Sequence, residues 1–473
     1  MNRSNVEEIK ARLAIEDVIG GYIKVEKAGK SFKAKCPFHN EKTASFFISP
    51  ERGGYYCFGC FPPGQLVRTP FGYHNIETID AKHYVYSGKG NIRKILATQY
   101  REYEGEMVSV DVQKLCGTVS MTSDHKLPII RPKTKYYKKV KQFYRQIRGY
   151  GSNSGRSISL NKKRIEKHAD VLKISAGELR VGDFVLHPIP TVVKDVGKID
   201  LSAYLIKKHN KGPRVRTVPY IIPIDDDFLK LIGYYIAEGS NHRAYIRFSL
   251  GNHEKDFAQE IVSIVKKIFG LEAKIYRRKG IKKTGIEVTA CHAYLADIFA
   301  NLCGKGSSNK HIPYIFQELP FSKQMVIVDA INKGDGHISR PVISAHFHNT
   351  ITVVSRLLVE QIADILLRNS IFPSVHSAKK RTDKNGVNHK ETYSVKWSST
   401  AIARHELTYI DDGATYWLLP VKKVSFKSYS GPVYNLTVDE DHTYATKNFA
   451  VSNCGAKGDI FSFVEQFEGL DFR

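Results

Sequence analysis

Apolar residues recur at helical spacing twice in the middle of the chain. Phe257, Ile261, Val265 and Ile268 mark one stripe and Leu358, Ile362, Ile365 and Leu366 a second, with polar residues between, so two amphipathic helices are predicted there. Each stripe follows an apolar run that closes on an acidic residue and a glycine, LIGYYIAEGS before the first and VIVDAINKGDGHI before the second. From about residue 195 to 405 the order helix, acid with glycine, strands, amphipathic helix, basic strand region therefore occurs twice, the mark of a weak internal repeat. The first twenty residues have helical periodicity interrupted by charge, and no apolar run is long enough to cross a bilayer. The expectation is a cytoplasmic, nucleoid-associated protein with no membrane partner.

At 473 residues the chain exceeds one ordinary domain, and about three units are expected. The net charge of +25 calls for a polyanionic partner. Residues 1–59 hold ten basic and seven acidic side chains and residues 454–473 two and four, so nearly all of the surplus lies between them. In a cytoplasmic chain the seven cysteines read as metal ligands, nucleophiles or core residues rather than as disulfides. Cys116, Cys291 and Cys303 lack metal-ligand spacing and are assigned to core packing.

Cys36-Pro-Phe-His39 and Cys57-Phe-Gly-Cys60 pair as Cys-x2-His and Cys-x2-Cys. Four such ligands close a tetrahedral zinc site and leave no open position for chemistry, so the metal would staple a unit too small to build much core. The segment CPFHNEKTASFFISPERGGYYCFGC resembles the zinc-binding domain of DnaG-type primases, whose second cysteine pair runs into a glycine-rich turn and a helix. GAKGDIFSFVEQFEGLDF has that form, yet it stands at residues 455–472. Joining Gly59 to Cys454 restores one continuous segment. The resemblance implies structural Zn2+ on Cys36, His39, Cys57 and Cys60, with Cys454 replacing Cys60 once the ends are joined. It also implies a single-stranded DNA template and a replicative helicase as partners of the host family.

The ends of the interruption, Cys60 and Asn453-Cys454, resemble those of inteins. A thiol is the most nucleophilic ordinary side chain near neutral pH. Cys60 would attack the Gly59 carbonyl to give a thioester, Cys454 would accept the acyl group, and Asn453 would cyclise to cut the second junction. GTVSMTSDHKLPI contains the family's Thr-x-x-His at Thr122 and His125. The threonine is implied to hold the scissile peptide and its oxyanion, and the histidine to protonate the departing nitrogen. In SGPVYNLTVDEDHTYATKNFAVSNC, His442 is implied to assist cyclisation. Ser452 stands where the family has His, and Asn435 where it often has Asp. Serine does not donate a proton as imidazolium does, so cyclisation is expected to be slow or to lean on His442.

The paired helices of the repeat resemble the LAGLIDADG signature of homing endonucleases, with Glu238 and Asp335 at the acidic positions. Small residues, Gly233 and Ala330, stand where the helices must approach closely. The resemblance implies Mg2+ or a similar divalent metal at Glu238 and Asp335, acting on an asymmetric double-stranded DNA target. Lys310, in KHIP, matches the family's lysine that steadies transition-state charge; a solvated surface lysine is the alternative. Arg277, Arg278, Lys279, Lys282 and Lys283, with Lys379, Lys380, Arg381 and Lys384, fall on predicted hairpins suited to the major groove. Residues 131–149 carry eight basic and no acidic side chains among tyrosines, readable as DNA contact or as a solvated loop.

The expected fold is multi-domain: a small split zinc ribbon, an all-β Hint-type splicing domain, and an α/β LAGLIDADG endonuclease of two pseudo-symmetric repeats. The expected boundaries are 1–59, 60–194, 195–405, 406–453 and 454–473. The function implied is self-splicing of a primase zinc-binding domain, with an embedded endonuclease that hydrolyses DNA phosphodiesters at a specific site. The alternative is a non-splicing, zinc-dependent DNA-binding protein fused to a decayed endonuclease, with Ser452 as its support. No primase core follows Arg473, so primer synthesis is expected of the host family and not of this chain as it stands.

Overall fold

The computed structural model describes residues 12–29, 31–35, 37, 46–51, 53–57, 59–133, 143, 147, 158–206, 217–277, 285–339, 347–382, 386, 388–398, 406–453 and 456–469. Among them, no helix is long and apolar enough to cross a membrane.

Segments from the two ends of the chain build one small antiparallel sheet. Its strands run Glu26–Ala28, Ser31–Ala34, Phe46–Ser49, Gly54–Cys57 and Ala456–Gly458, the last pairing directly with Gly54–Cys57. Helix Ile460–Glu468 starts where the Asp459 carboxylate accepts from the Ser462 N–H and ends at Gly469 in the left-handed region, a capped start and a glycine stop. Its Phe463 packs on Phe46 and Tyr55 at ring-centroid distances of 5.8 and 5.4 Å, and Ile15, Ile19 and Ile48 complete the cluster. A core this small relies on aromatic area.

The second unit is a β-structure dominated by two very long strands, Ile92–Val112 and Ala414–Val438, antiparallel along almost their whole length. Strands of this length bend, and register shifts at Val421/Lys423 and Thr437/Val438 supply the extra twist. Ala414–Val438 serves three neighbours, pairing Leu407–Asp411 and Phe184–Ile189 along its first half and Ile92–Val112 along its second. The short strand Val119–Thr122 lies on the other side of Ile92–Val112. Phe61, Val108, Met121, Trp417, Leu436 and Tyr444 are among the residues of the core that results.

Between Ile189 and Leu407 the chain forms two copies of one pattern. Helices α1 (Asp226–Glu238), α2 (Lys255–Phe269), α3 (Phe321–Asp335) and α4 (Arg356–Arg368) alternate with strand pairs. The two four-stranded sheets, Gly239–Asn241, Tyr245–Gly251, Gly285–Cys291, Lys274–Arg277 and Gly336–Ser339, His348–Val353, Thr392–Ser398, Ser374–Ala378, have the same strand order. The stripes of α2 and α4 are buried as their spacing predicts, Ile268 only in part. Helices α1 and α3 cross at Gly233, where a β-carbon would stand 2.5 Å from the Ala330 Cβ and 2.7 Å from the Ile327 carbonyl oxygen; only glycine admits that approach.

Helix α4 also docks on the β-unit. Asp364 pairs with Arg68 at 2.7 Å and Glu360 with Lys447 at 2.9 Å, both largely buried, and Leu367 joins the β-core. Cys303 is buried, but Cys291 is exposed at a strand end, against the expectation of core packing. The basic stretch 131–149 is not simply a solvated loop: Arg131 pairs with buried Asp183 at 2.8 Å, and Phe143 and Ile147 are buried beside Ile130 and Leu160; its residues 134–142, 144–146, 148 and 149 lie outside the described residues.

Candidate functional site

The long strands bring the two ends of the interruption to one place. Phe61 exchanges two backbone hydrogen bonds with Tyr434, both 2.8 Å, which fixes Cys60 between Ala414–Val438 and Val119–Thr122. The Cys60 N–H donates to Thr122 Oγ1 at 2.8 Å, and the Thr122 N–H donates back to the Cys60 carbonyl at 2.9 Å. Thr122 therefore holds the nitrogen of the Gly59–Cys60 peptide. The Gly59 oxygen is met by the Asn435 amide, whose Nδ2 donates to it at 2.5 Å.

His125 is buried and sits against Gly59, with Ser452 near its ring. Its ring packs at a tilt on Phe61, 4.4 Å between centroids, and its nitrogens face backbone groups of Gly59 and Ser452 without reaching hydrogen-bond geometry. Burial pushes it down to about 3, with those backbone groups opposing the shift. Burial thus keeps the His125 ring neutral near pH 7 in this conformation.

The Cys60 thiol is buried with Tyr103, Met107 and Val433. Burial pushes it up to about 11, with Arg101 opposing and Asp124 adding; the Arg101 and Asp124 side chains lie 3.8 Å apart. The expectation that Cys60 completes a zinc set with Cys36, His39 and Cys57 falls largely on residues that are not described. Cys36, His39 and Cys454 lie outside the described residues, as does the Cys57 side chain. A cavity of about 710 Å³ opens beside Cys60 between the small sheet and strand Ile92–Val112, lined by Ser31, Tyr55, Arg101 and Gly458 among others.

At the second junction Asn453 is buried; its N–H donates to the His442 carbonyl at 3.0 Å and its Nδ2 to the Val438 carbonyl at 3.1 Å. His442 meets Asn453 through its main chain, while its side chain is exposed. The turn that carries it is anchored by Asp441, which accepts from Ser87 at 2.7 Å, Arg93 at 2.9 Å and Asn91 at 3.0 Å.

A second centre lies where α1 and α3 end. A β-carbon on Gly334 would stand 3.1 Å from Glu238 Cγ, so the helix ends that carry Glu238 and Asp335 touch. The surrounding protein raises Asp335 to about 6, with Lys310 opposing. Lys310 is 6% exposed, donates to the Tyr235 carbonyl at 2.6 Å and lies 3.3 Å from the centre of the Tyr235 ring, which excludes the solvated-surface alternative. Burial pushes it down to about 8. Helix α4 fixes the KHIP segment through Gln361, which bonds both backbone groups of Ile312 at 2.8 and 2.9 Å, and through Ser355, which donates to the Lys310 carbonyl at 2.6 Å. Among the described residues, no group of three or more His, Cys, Asp or Glu converges in metal-holding geometry; Glu238 and Asp335 are the carboxylates that would hold a divalent ion here. Arg277, Lys379, Lys380 and Arg381 are exposed, and Arg381–Thr382 pairs with Asn388–His389 as a hairpin. Arg278, Lys279, Lys282, Lys283 and Lys384 lie outside the described residues.

Comparison with known proteins assigns two parts of the chain. Residues 1–89 match the CHC2 zinc finger family, and residues 225–304 match the LAGLIDADG-like domain family. The chain therefore carries a primase-type zinc ribbon at its amino-terminal end, which implies zinc, and a LAGLIDADG domain in its centre. A DNA primase of Pseudomonas putida is 39% identical over 16% of this chain and 11% of its own length. An uncharacterized protein of Methanocaldococcus jannaschii is 26% identical over 84% of this chain and 50% of its own. An iron-sulfur cluster assembly SufBD family protein of Mycobacterium tuberculosis is 24% identical over 86% and 44%. The chain thus spans about half the length of these two curated relatives. The crystal structure of I-DmoI in complex with DNA and Ca is similar over 37% of this chain and 84% of that chain, at 13% identity and a TM-score of 0.27.

Asn435, Arg101 and Tyr444 are the functional candidates that the motifs did not yield. Asn435 drew notice only as a departure from a family pattern. Arg101 sits mid-strand, and nothing in its sequence neighbourhood marks it.

Proposed function

We propose that residues 60–453 form an intein that excises itself from a primase zinc-binding domain and carries a homing endonuclease. Residues 60–194 and 406–453 form the splicing domain, 195–405 the endonuclease, and 1–59 with 454–473 the domain that is joined. Cys60 attacks the Gly59 carbonyl while Thr122 holds the scissile nitrogen. Cys454 takes the acyl group, and the Asn453 side-chain nitrogen closes on its own carbonyl to release the second junction. His125, packed on Gly59, receives and returns protons as charge develops, and His442 assists the cyclisation. After joining, Cys454 completes the zinc set with Cys36, His39 and Cys57, and the domain binds single-stranded template DNA for a primase that works with a helicase.

The observation that carries this reading is the close packing of Gly59 on buried His125, with the nitrogen of the Gly59–Cys60 peptide bonded to Thr122. The comparisons support it from another side. The bulk of the chain is shared with an iron-sulfur assembly protein, whereas the primase likeness is confined to a short segment, a distribution suited to an element inserted into unrelated hosts. For the endonuclease, which would act on double-stranded DNA, Glu238 and Asp335 would hold Mg2+ or a similar ion, which would supply Lewis-acid activation of water, and Lys310 steadies phosphate charge.

The test is expression of the full chain beside its Asn453→Ala variant. The parent is expected to resolve into an excised element and a joined product, and the variant to stop before cyclisation. Persistence of both at full length contradicts the proposal.

A further inference from the structure

We propose that the Asn435 side-chain amide is a catalytic oxyanion donor for the acyl shift from Gly59 to Cys60, a role that rests on the splicing reading above. Asn435 Nδ2 donates to the Gly59 carbonyl oxygen at 2.5 Å. Its Oδ1 accepts from the Leu436 N–H at 2.7 Å and from the Tyr444 hydroxyl at 2.6 Å. With two donors on its oxygen, the amide has one orientation, NH2 toward Gly59. Asn435 is 1% and Tyr444 0% exposed, so the amide that donates to the carbonyl is itself shielded from water.

The step is an isomerisation. The Cys60 sulfur bonds to the Gly59 carbonyl carbon, the carbonyl pair moves onto oxygen, and the carbon–nitrogen bond to Cys60 breaks. The thiol proton ends on the Cys60 nitrogen, which becomes an amine. Negative charge collects on the oxygen that Asn435 already holds, and a donor in place before the reaction needs no reorganisation. Thr122 holds the nitrogen and Asn435 the oxygen, so the two halves of the peptide bond have separate partners. A carboxylate at position 435 would keep the Leu436 and Tyr444 bonds but turn a bare oxygen toward the Gly59 oxygen, and would donate only when protonated.

The test uses the full chain carrying Asn453→Ala and Cys454→Ala, so that later steps are closed. Dithiothreitol traps any thioester as cleavage after Gly59. Adding Asn435→Ala is expected to slow that cleavage about 100-fold, the usual loss on removing one oxyanion donor, and Tyr444→Phe to slow it less. Asn435→Asp, which preserves volume and guards against a folding defect, is expected to be slow at pH 8 and to recover as the pH falls. Parent-like rates at pH 8 in the Asn435→Asp chain, or in a folded Asn435→Ala chain, overturn the proposal and leave splicing intact. Absence of thiol-dependent cleavage in the parent itself overturns the splicing reading and this role with it.

Discussion

Gly59 lies flat against His125: a β-carbon on Gly59 would stand 2.2 Å from the His125 Cα and 2.8 Å from its backbone nitrogen. The obstruction is backbone, which cannot rotate away as a side-chain tip can. The residue before the first junction is therefore held by shape as well as by its own bond to Cys60.

Gly59→Ala is expected to push the scissile carbonyl off its partners while leaving both folded units intact. A displacement near 1 Å costs on the order of 100-fold in rate. Thiol-induced cleavage after position 59 measures it, and a rate within a few-fold of the parent would show that the contact is not rate-determining.

The buried histidines set a pH dependence. His125 and His187 both lie at about 3 because burial disfavours the charged ring. Between about 6.5 and 3 the unfolded chain binds protons that the folded chain does not, so this contribution to stability is complete above about 6.5 and is lost as the pH falls. Each group adds a slope of up to about 1.4 kcal/mol per pH unit. Denaturation midpoints of the β-unit at pH 7, 6 and 5 should fall steadily, and His187→Gln should flatten the decline; an unchanged slope would mean that His187 is not the titrating group.

The amphipathic stripes, the order of the repeat and the Gly233 crossing were legible because spacing and residue size carry them directly. The pairing of Ala456–Gly458 with Gly54–Cys57 was legible only as a broken motif, since no local pattern links strands at opposite ends of a chain. The fine structure of the junction was not legible. Which atom of the scissile peptide Thr122 holds depends on the Phe61–Tyr434 register, and the neutrality of His125 depends on burial that a Thr-x-x-His motif does not encode. Lys310 could also be read as a surface lysine because its burial is created by Tyr235, far away in sequence.

Cleavage of DNA is expected to require both helix-end acids and a divalent ion. With a DNA library containing uninterrupted primase genes, Glu238→Ala and Asp335→Ala should each abolish double-strand cutting, and chelation should do the same to the parent. Lys310→Met should retain binding but lose at least about 10-fold in rate, as loss of one charge-stabilising group does. Cutting by either acid variant at the parental rate would remove that carboxylate from the mechanism.

The most direct measurement of the central claim is the sequence of the joined peptide. Protease digestion and tandem mass spectrometry of the expressed chain should yield a fragment in which Phe58-Gly59 runs straight into Cys454-Gly455, beside an excised element beginning at Cys60 and ending in cyclised Asn453. Recovery only of peptides in which Gly59 is followed by Cys60 and Asn453 by Cys454 would contradict it.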